Sequence, residues 1–150
     1  MATFEFTATF DSPASAVFAL LADLSARPEW INGTYYEIRV TPDGPARLGT
    51  SYFESAKFSG FKSEKTLLVT EYEQDRLLTL TSEDSAKQSW RESYRIEPLS
   101  EETCRLHSTI EVGNVPKVAE FFMRQQMKKD QPQQVASLKS LIVAKAQRAN

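Results

Sequence analysis

The sequence predicts an α+β protein in which a seven-stranded antiparallel sheet packs against one long C-terminal helix, with two short helices between strands 1 and 2. Three observations carry this. Residues 115 to 148 hold Met123, Met127, Gln131, Val135, Leu138 and Ile142 at steps of three and four, which a helix gathers into one stripe. Residues 35 to 113 read as short strand-forming runs divided by brief turns, the pattern of antiparallel neighbours in a meander. The chain opens MATFEFTATF, where Phe4, Phe6, Ala8 and Phe10 alternate with Thr3, Glu5, Thr7 and Thr9, the period of a half-buried strand.

After that first strand, Asp11-Ser12-Pro13 marks a helix start. Ser12 suits the N-cap and Pro13 the first helical position, where a missing amide hydrogen costs nothing. A helix follows from 13 to about 24, with Val17, Leu20, Leu21 and Leu24 as its buried stripe. Residues 25 to 31 add a second, shorter turn of helix, ending near Asn32-Gly33, where glycine tolerates the left-handed conformation that closes helices. Trp30 either packs into the core or roofs a cavity.

Strands are then expected at 35 to 41, 50 to 58, 62 to 73, 76 to 82, 87 to 97 and 103 to 112. The turns between them fall at Pro42-Asp43-Gly44-Pro45, Ser59-Gly60, Gln74-Asp75, Glu83-Asp84-Ser85 and 98 to 102. Gly113-Asn114 and Pro116 release the chain into the final helix. Pro132 interrupts that helix, because it offers no amide hydrogen to the carbonyl of Lys128. Either the helix bends there and continues, or it stops near Lys129 and restarts. The apolar stripe stays in phase across the proline, which favours a bend.

At 150 residues the chain has the length of a single domain, 1–150, with one sizeable core. Its 18 Lys and Arg against 20 Asp and Glu give a net charge of -2, so the overall basic excess usual for nucleic-acid binding is absent. Lys128-Lys129 near Arg124 reads as a solvated helix face. Cys104 is the only cysteine, so no intrachain disulfide forms and no cysteine cluster binds metal; a reducing compartment fits. The opening strand is not a signal peptide, and no run approaches the roughly twenty apolar residues of a membrane span. The expectation is a cytoplasmic protein with no nucleic-acid partner and no stable membrane insertion.

The chain order resembles the helix-grip fold of the START-like (SRPBCC) superfamily, which includes polyketide cyclase/dehydrase-like proteins, Bet v 1-like proteins and lipid-transfer domains. Asp11-Ser12-Pro13-Ala14-Ser15-Ala16-Val17-Phe18 is similar to the family's small-residue-Pro turn and Val-Phe/Trp helix. Asp23 to Trp30 resembles its Asp…Pro-x-Trp helix pair, Leu48-Gly49-Thr50-Ser51-Tyr52-Phe53 the glycine opening its third strand, and Val69 to Leu77 its fourth-to-fifth strand turn. The resemblance spans almost the full length and rests on order more than on any one motif. It implies a curved sheet gripping the long helix around a cavity for a hydrophobic or amphipathic small molecule. It supplies no activity, because carriers, receptors, cyclases and regulators share the frame.

Strand alternation nominates the cavity lining. Tyr52 facing the helix brings Glu54, Ala56 and Phe58; Tyr94 and Ile96 bring Trp90 and Glu92; Leu106, Ile110 and Val112 bring Cys104 and Ser108. A bulge would flip any of these from its position onward. Glu54 and Glu92 either lie outside, bonded to Arg91, Arg95, Lys57 or Lys62, or lie inside, orienting a ligand hydroxyl or serving as general acid or base. From the final helix Phe121, Phe122, Gln125 and Met127 are candidate wall or gate residues, with one of the two adjacent phenylalanines inward and the other at the mouth or against a partner, since neighbouring helical positions diverge by about 100°. His107, the one histidine, has the opposite parity to Leu106 and Ser108 and belongs on the convex side; a zinc site is not expected, nor any cofactor. No G-x-S-x-G, Walker or dinucleotide-binding motif occurs.

The leading expectation is a binding protein for a lipid, isoprenoid or polyketide, with Glu54, Tyr94, Ser108 and Gln125 directing the ligand. An enzyme of the cyclase, dehydratase or hydrolase kind, using Glu54 or Glu92, is the first alternative. A regulator whose interior is filled by its own side chains is the second.

Overall fold

The computed structural model describes residues 2–58, 60–83 and 88–149. Strand β1 (Ala2–Phe10) leads into α1 (Ala14–Ala22), a 3-10 turn (Leu24–Ala26) and α2 (Arg27–Trp30). Strands β2 (Thr34–Thr41), β3 (Ser51–Phe58), β4 (Phe61–Glu73), β5 (Leu77–Ser82), β6 (Trp90–Pro98) and β7 (Cys104–Val112) follow, and α3 (Lys117–Ala149) ends the chain. The seven strands form one antiparallel sheet in the order β1-β7-β6-β5-β4-β3-β2. Strands 2 to 7 are thus the expected meander, and β1 closes it by pairing along its whole length with β7, from Ala2 opposite Val112 to Phe10 opposite Cys104. The turn at Asp84-Ser85, the strand start at 87 and Ser59 lie outside the described residues.

The elements depart from expectation in local ways. Pro13, not Ser12, occupies the cap position of α1, in extended conformation (ψ 153°), and its carbonyl accepts from the amides of Ala16 and Val17. The helix stops at Ala22, and Leu24 enters the core from the 3-10 turn instead. Gly33 does not close α2 by a left-handed turn: Ile31, in extended conformation, is the C-cap. Glycine is needed at 33 because a Cβ there would lie 2.7 Å from the Phe58 ring. Among the described residues, the non-glycine residues in left-handed conformation are Asp75 (φ 64°), at the expected Gln74-Asp75 turn, and Asn114 (φ 55°), where β7 gives way to α3.

Helix α3 runs without interruption through Pro132, so the stop-and-restart alternative is ruled out. Its second half is anchored. Leu138 is fully buried and Ile142 nearly so, among Val17, Leu20, Leu21, Phe10 and Leu106. Burial of such side chains stabilises by about 1.5–3 kcal/mol each. Lys145 reaches Asp23, and Asn32 donates to Gln133, tying α3 to the short helices. The first half is more lightly covered: Met123 and Met127 pack on a small cluster of Ala2, Phe4 and Val112. Phe121 and Phe122 are both turned outward, 58% and 64% exposed, packed edge-to-face on each other at 5.6 Å. The expectation that one of them packs inward is therefore corrected, and Gln125 is exposed as well. The stripe passes through Met123 and Met127, one turn apart, and leaves positions 121, 122 and 125 on the far side.

Candidate functional site

Alternation along the strands does place the nominated carboxylates on the inner face. On β3, Tyr52, Glu54 and Ala56 are buried and Phe58 is half-buried; on β6, Glu92, Tyr94 and Ile96 are buried and Trp90 is half-buried. Ser108 is buried on β7, opposite Tyr94, while His107 faces outward between Thr7 and Glu97. The bulges fall in β2, between Tyr35 and Glu37, and in β4, between Val69 and Glu71, so they do not disturb these three strands.

Glu54 and Glu92 are each only 1% exposed, and neither meets the partners expected for it. Glu92 Oε1 accepts from Arg27 Nη2 at 2.7 Å, and its Oε2 accepts from the Tyr94 hydroxyl at 2.9 Å. Glu54 Oε1 accepts from the Tyr52 hydroxyl at 2.8 Å, while Lys65 Nζ stands 3.6 Å from Oε2, an ion pair longer than a hydrogen bond. Burial alone would raise the Glu92 pKa, but Arg27, Lys65 and the Tyr94 hydroxyl outweigh it and hold the carboxyl below its usual range. Burial likewise opposes the charge on Arg27, yet Glu92 and the surrounding groups keep its guanidinium firmly protonated. Burial lowers the pKa of Lys65, only partly offset by Glu54 and Glu92. The hydroxyls of Tyr35, Tyr52 and Tyr94 are pushed up by burial first and by the carboxylates next, so all three stay neutral.

These contacts close into a ring. The Arg27 guanidinium lies over Tyr52 (5.1 Å) and Trp30 (5.8 Å), and the Lys65 ammonium lies 3.6 Å over Trp90 and 6.0 Å from Phe58. Trp30 meets Tyr94 edge-on at 6.2 Å, and Tyr35 meets Phe58 at 5.6 Å. Cations over aromatic faces gain about 0.5–2 kcal/mol, more as water is excluded. Trp30 is thus both core and site. It also lines a small cavity of about 70 Å³ between α2 and the middle of α3, with Asn32, Gln133 and Ser137. Four buried atoms of the ring have no hydrogen-bond partner among the described residues: Arg27 Nε, Trp30 Nε1, Trp90 Nε1 and Glu54 Oε2. Phe121, Phe122 and Gln125 are not brought to this ring, and Met127 packs beside it only through the Phe4 and Val112 cluster that also holds Trp90.

Arg27, Lys65 and Tyr35 are the site residues the sequence reading missed. Lys65 carried a signal, because it has the same parity as the buried Leu67, and the Phe58–Phe61 pairing at the hairpin sets Glu54 directly opposite it. Arg27 carried none, since its partner is 65 residues away.

The architecture, a curved sheet around a long C-terminal helix, is the START-like helix-grip fold. The family described as polyketide cyclase / dehydrase and lipid transport matches residues 1–143, and the chain belongs to it. No curated protein matches the chain. Among solved structures, it is similar to protein NE0264 of Nitrosomonas europaea (TM-score 0.74, 14% identity, covering 99% of this chain and 97% of that one). It is similar also to a START superfamily protein of Mycobacterium smegmatis (TM-score 0.73, 12% identity, 96% and 99% covered). A third is a point mutant of norcoclaurine synthase of Thalictrum flavum bound to a transition-state analogue (TM-score 0.71, 10% identity, 96% and 95% covered). At these identities the likeness concerns the fold. Fold and family together point to a cavity for a hydrophobic ligand between sheet and helix.

Proposed function

We propose that this protein is a cytoplasmic binder, a carrier or sensor, of a hydrophobic or amphipathic small molecule of the lipid, isoprenoid or polyketide kind, held between the sheet and α3. The observation that supports it is the set of four buried polar atoms without a hydrogen-bond partner, Arg27 Nε, Trp30 Nε1, Trp90 Nε1 and Glu54 Oε2, set among aromatic side chains between α2 and the sheet. Each such atom costs about 1–3 kcal/mol when left unpaired in a protein interior. A ligand whose polar end reaches them recovers that loss while its apolar body covers Trp30, Trp90 and Phe58. The family description, which spans cyclases, dehydrases and lipid transport, agrees with cargo of this kind. On the same fold, norcoclaurine synthase of Thalictrum flavum has been captured with dopamine and hydroxybenzaldehyde.

Trp30 and Trp90 are the only tryptophans and both stand at the ring, so their emission reports occupancy directly. Titration with a fatty alcohol, an isoprenoid alcohol and an aromatic polyketide is expected to give a saturable one-to-one change for at least one of them. No saturable response from any of the three, in protein shown to be folded, would refute the reading. It would then favour a regulator with a filled interior.

A catalytic reading is supported by Lys65, an amine whose pKa is lowered by burial beside the Glu54 carboxylate. Glu92 is unsuited to acid/base work because Arg27 and Tyr94 hold both of its oxygens as an anion. Conversion of a bound poly-β-ketone analogue above the buffer rate would establish a cyclase or dehydratase, and conversion at the buffer rate would remove that reading.

A further inference from the structure

We propose that the ligand's polar end is electrically neutral and carries a hydroxyl, as in a phenol, an enol or a hydroxyketone, and that the site rejects carboxylates and phosphates. This rests on the ligand-binding reading and narrows it. The ring contains two cations and two anions, each already matched: Arg27 with Glu92 at 2.7 Å and Lys65 with Glu54 at 3.6 Å. The other titratable groups against them are Tyr35 on β2, Tyr52 on β3 beside Glu54 and Tyr94 on β6 beside Glu92, all neutral phenols. The buried site therefore sums to zero charge, and a further ion placed in it has no counter-charge. An unpaired charge in such a setting costs several kcal/mol.

The unpartnered atoms set the hydrogen-bonding character. Arg27 Nε, Trp30 Nε1 and Trp90 Nε1 are donors that need an acceptor, and Glu54 Oε2, charge-paired with Lys65 Nζ at 3.6 Å, is an acceptor that still lacks a hydrogen-bond donor. A carboxylate or phosphate dianion offers acceptors only and would face Glu54 with like charge. An ammonium offers donors only and would face Arg27 and Lys65. A bare hydrocarbon satisfies none of the four. A hydroxyl donates to Glu54 and accepts from a tryptophan or from Arg27, and a neighbouring carbonyl takes up a second donor. Free fatty acids and phospholipid headgroups are thereby disfavoured, whereas fatty or isoprenoid alcohols and phenolic or enolic polyketides are admitted.

Three probes of one shape test this at pH 7.5 by calorimetry: 1-naphthol, 1-naphthoate and 1-naphthylmethylamine. With the unmodified protein, 1-naphthol is expected to bind at least about 30-fold tighter than either ion, because each 1.4 kcal/mol of charge penalty is tenfold in affinity. In Glu54→Gln the ring carries one excess positive charge, and the order is expected to turn over so that 1-naphthoate becomes the tightest of the three. In Lys65→Met the excess is negative and 1-naphthylmethylamine is expected to lead. Two variants of opposite sign keep the test decisive should one fail to fold. Equal affinities in the unmodified protein, or a tighter naphthoate or naphthylmethylamine, would overturn the charge-balance inference and leave ligand binding standing. Loss of naphthol binding in both variants without the exchange of preference would also overturn it. Failure of all three probes and of the alcohol and polyketide panel would defeat ligand binding itself and this inference with it.

Discussion

Removing Arg27 tests whether the buried ring is one electrostatic unit. Arg27→Met keeps the aliphatic stem, so little cavity forms, but it strands Glu92, which is 1% exposed. Breaking a buried pair by deleting one partner costs about 3–5 kcal/mol. The Tyr94 hydroxyl at 2.9 Å still serves Glu92, which puts the expected loss at the lower end, about 3 kcal/mol. The cation-aromatic contacts to Tyr52 and Trp30 add about 0.5–1 kcal/mol. For a chain of this size a loss of about 3 kcal/mol lowers Tm by about 6–12 °C. Glu92→Gln alone leaves the Arg27 charge stranded and should cost a similar amount. The double variant Arg27→Met/Glu92→Gln strands no charge, and the side-chain amide carbonyl it places at position 92 can still accept from Tyr94. Its loss should therefore fall short of the sum of the single losses by about 2–3 kcal/mol, within the range of coupled neighbours. Urea unfolding followed by tryptophan emission and far-ultraviolet circular dichroism measures all four proteins. Single losses that simply add would refute the reasoning, because they would mean that water already screens the pair.

Two further outcomes follow from the same geometry. Glu92 has a folded-state pKa below its unfolded value, so the stability it contributes is complete above about pH 4.3 and is lost as the pH falls from there through the folded value. Glu92→Gln should therefore be less stable at pH 7 yet show a flatter decline below about pH 4.3 than the unmodified protein; parallel acid-unfolding profiles would contradict this. Along α3, Leu138→Ala should cost about 2–5 kcal/mol, since Leu138 is fully buried, whereas Phe122→Ala, at an exposed site, should stay within about 0.5 kcal/mol. Equal losses in chemical denaturation would show that the two halves of the helix are not anchored unequally.

Much of this protein is written in local periods. The alternation of β3, β6 and β7 was sufficient to turn Tyr52, Glu54, Trp90, Glu92, Tyr94 and Ser108 to one face, because side chains on a strand change sides at every residue whatever lies beyond it. Likewise the stripe of Met123, Met127, Leu138 and Ile142 marks the covered side of α3 before any partner is known. Lys65 belongs to the same legible class, since Phe58 opposite Phe61 carries Glu54 to it by counting four residues away from the turn along each strand. Tertiary structure alone decided three things. It chose Arg27 as the counter-ion of Glu92 over the nearer Arg91 and Arg95, which the parity of their own strand sends outward or leaves exposed. It set β1 beside β7, pairing Ala2 with Val112 and Phe10 with Cys104 although the rest of the sheet intervenes in the sequence. It also left Phe121 and Phe122 outside, because hydrophobicity states a preference for burial, whereas the helix's rotation against β1 and α1 is set by the larger and better-packed Leu138 and Ile142 contacts. Which charges meet in a low-dielectric interior depends on distances between elements remote in sequence, and only the folded chain supplies those distances.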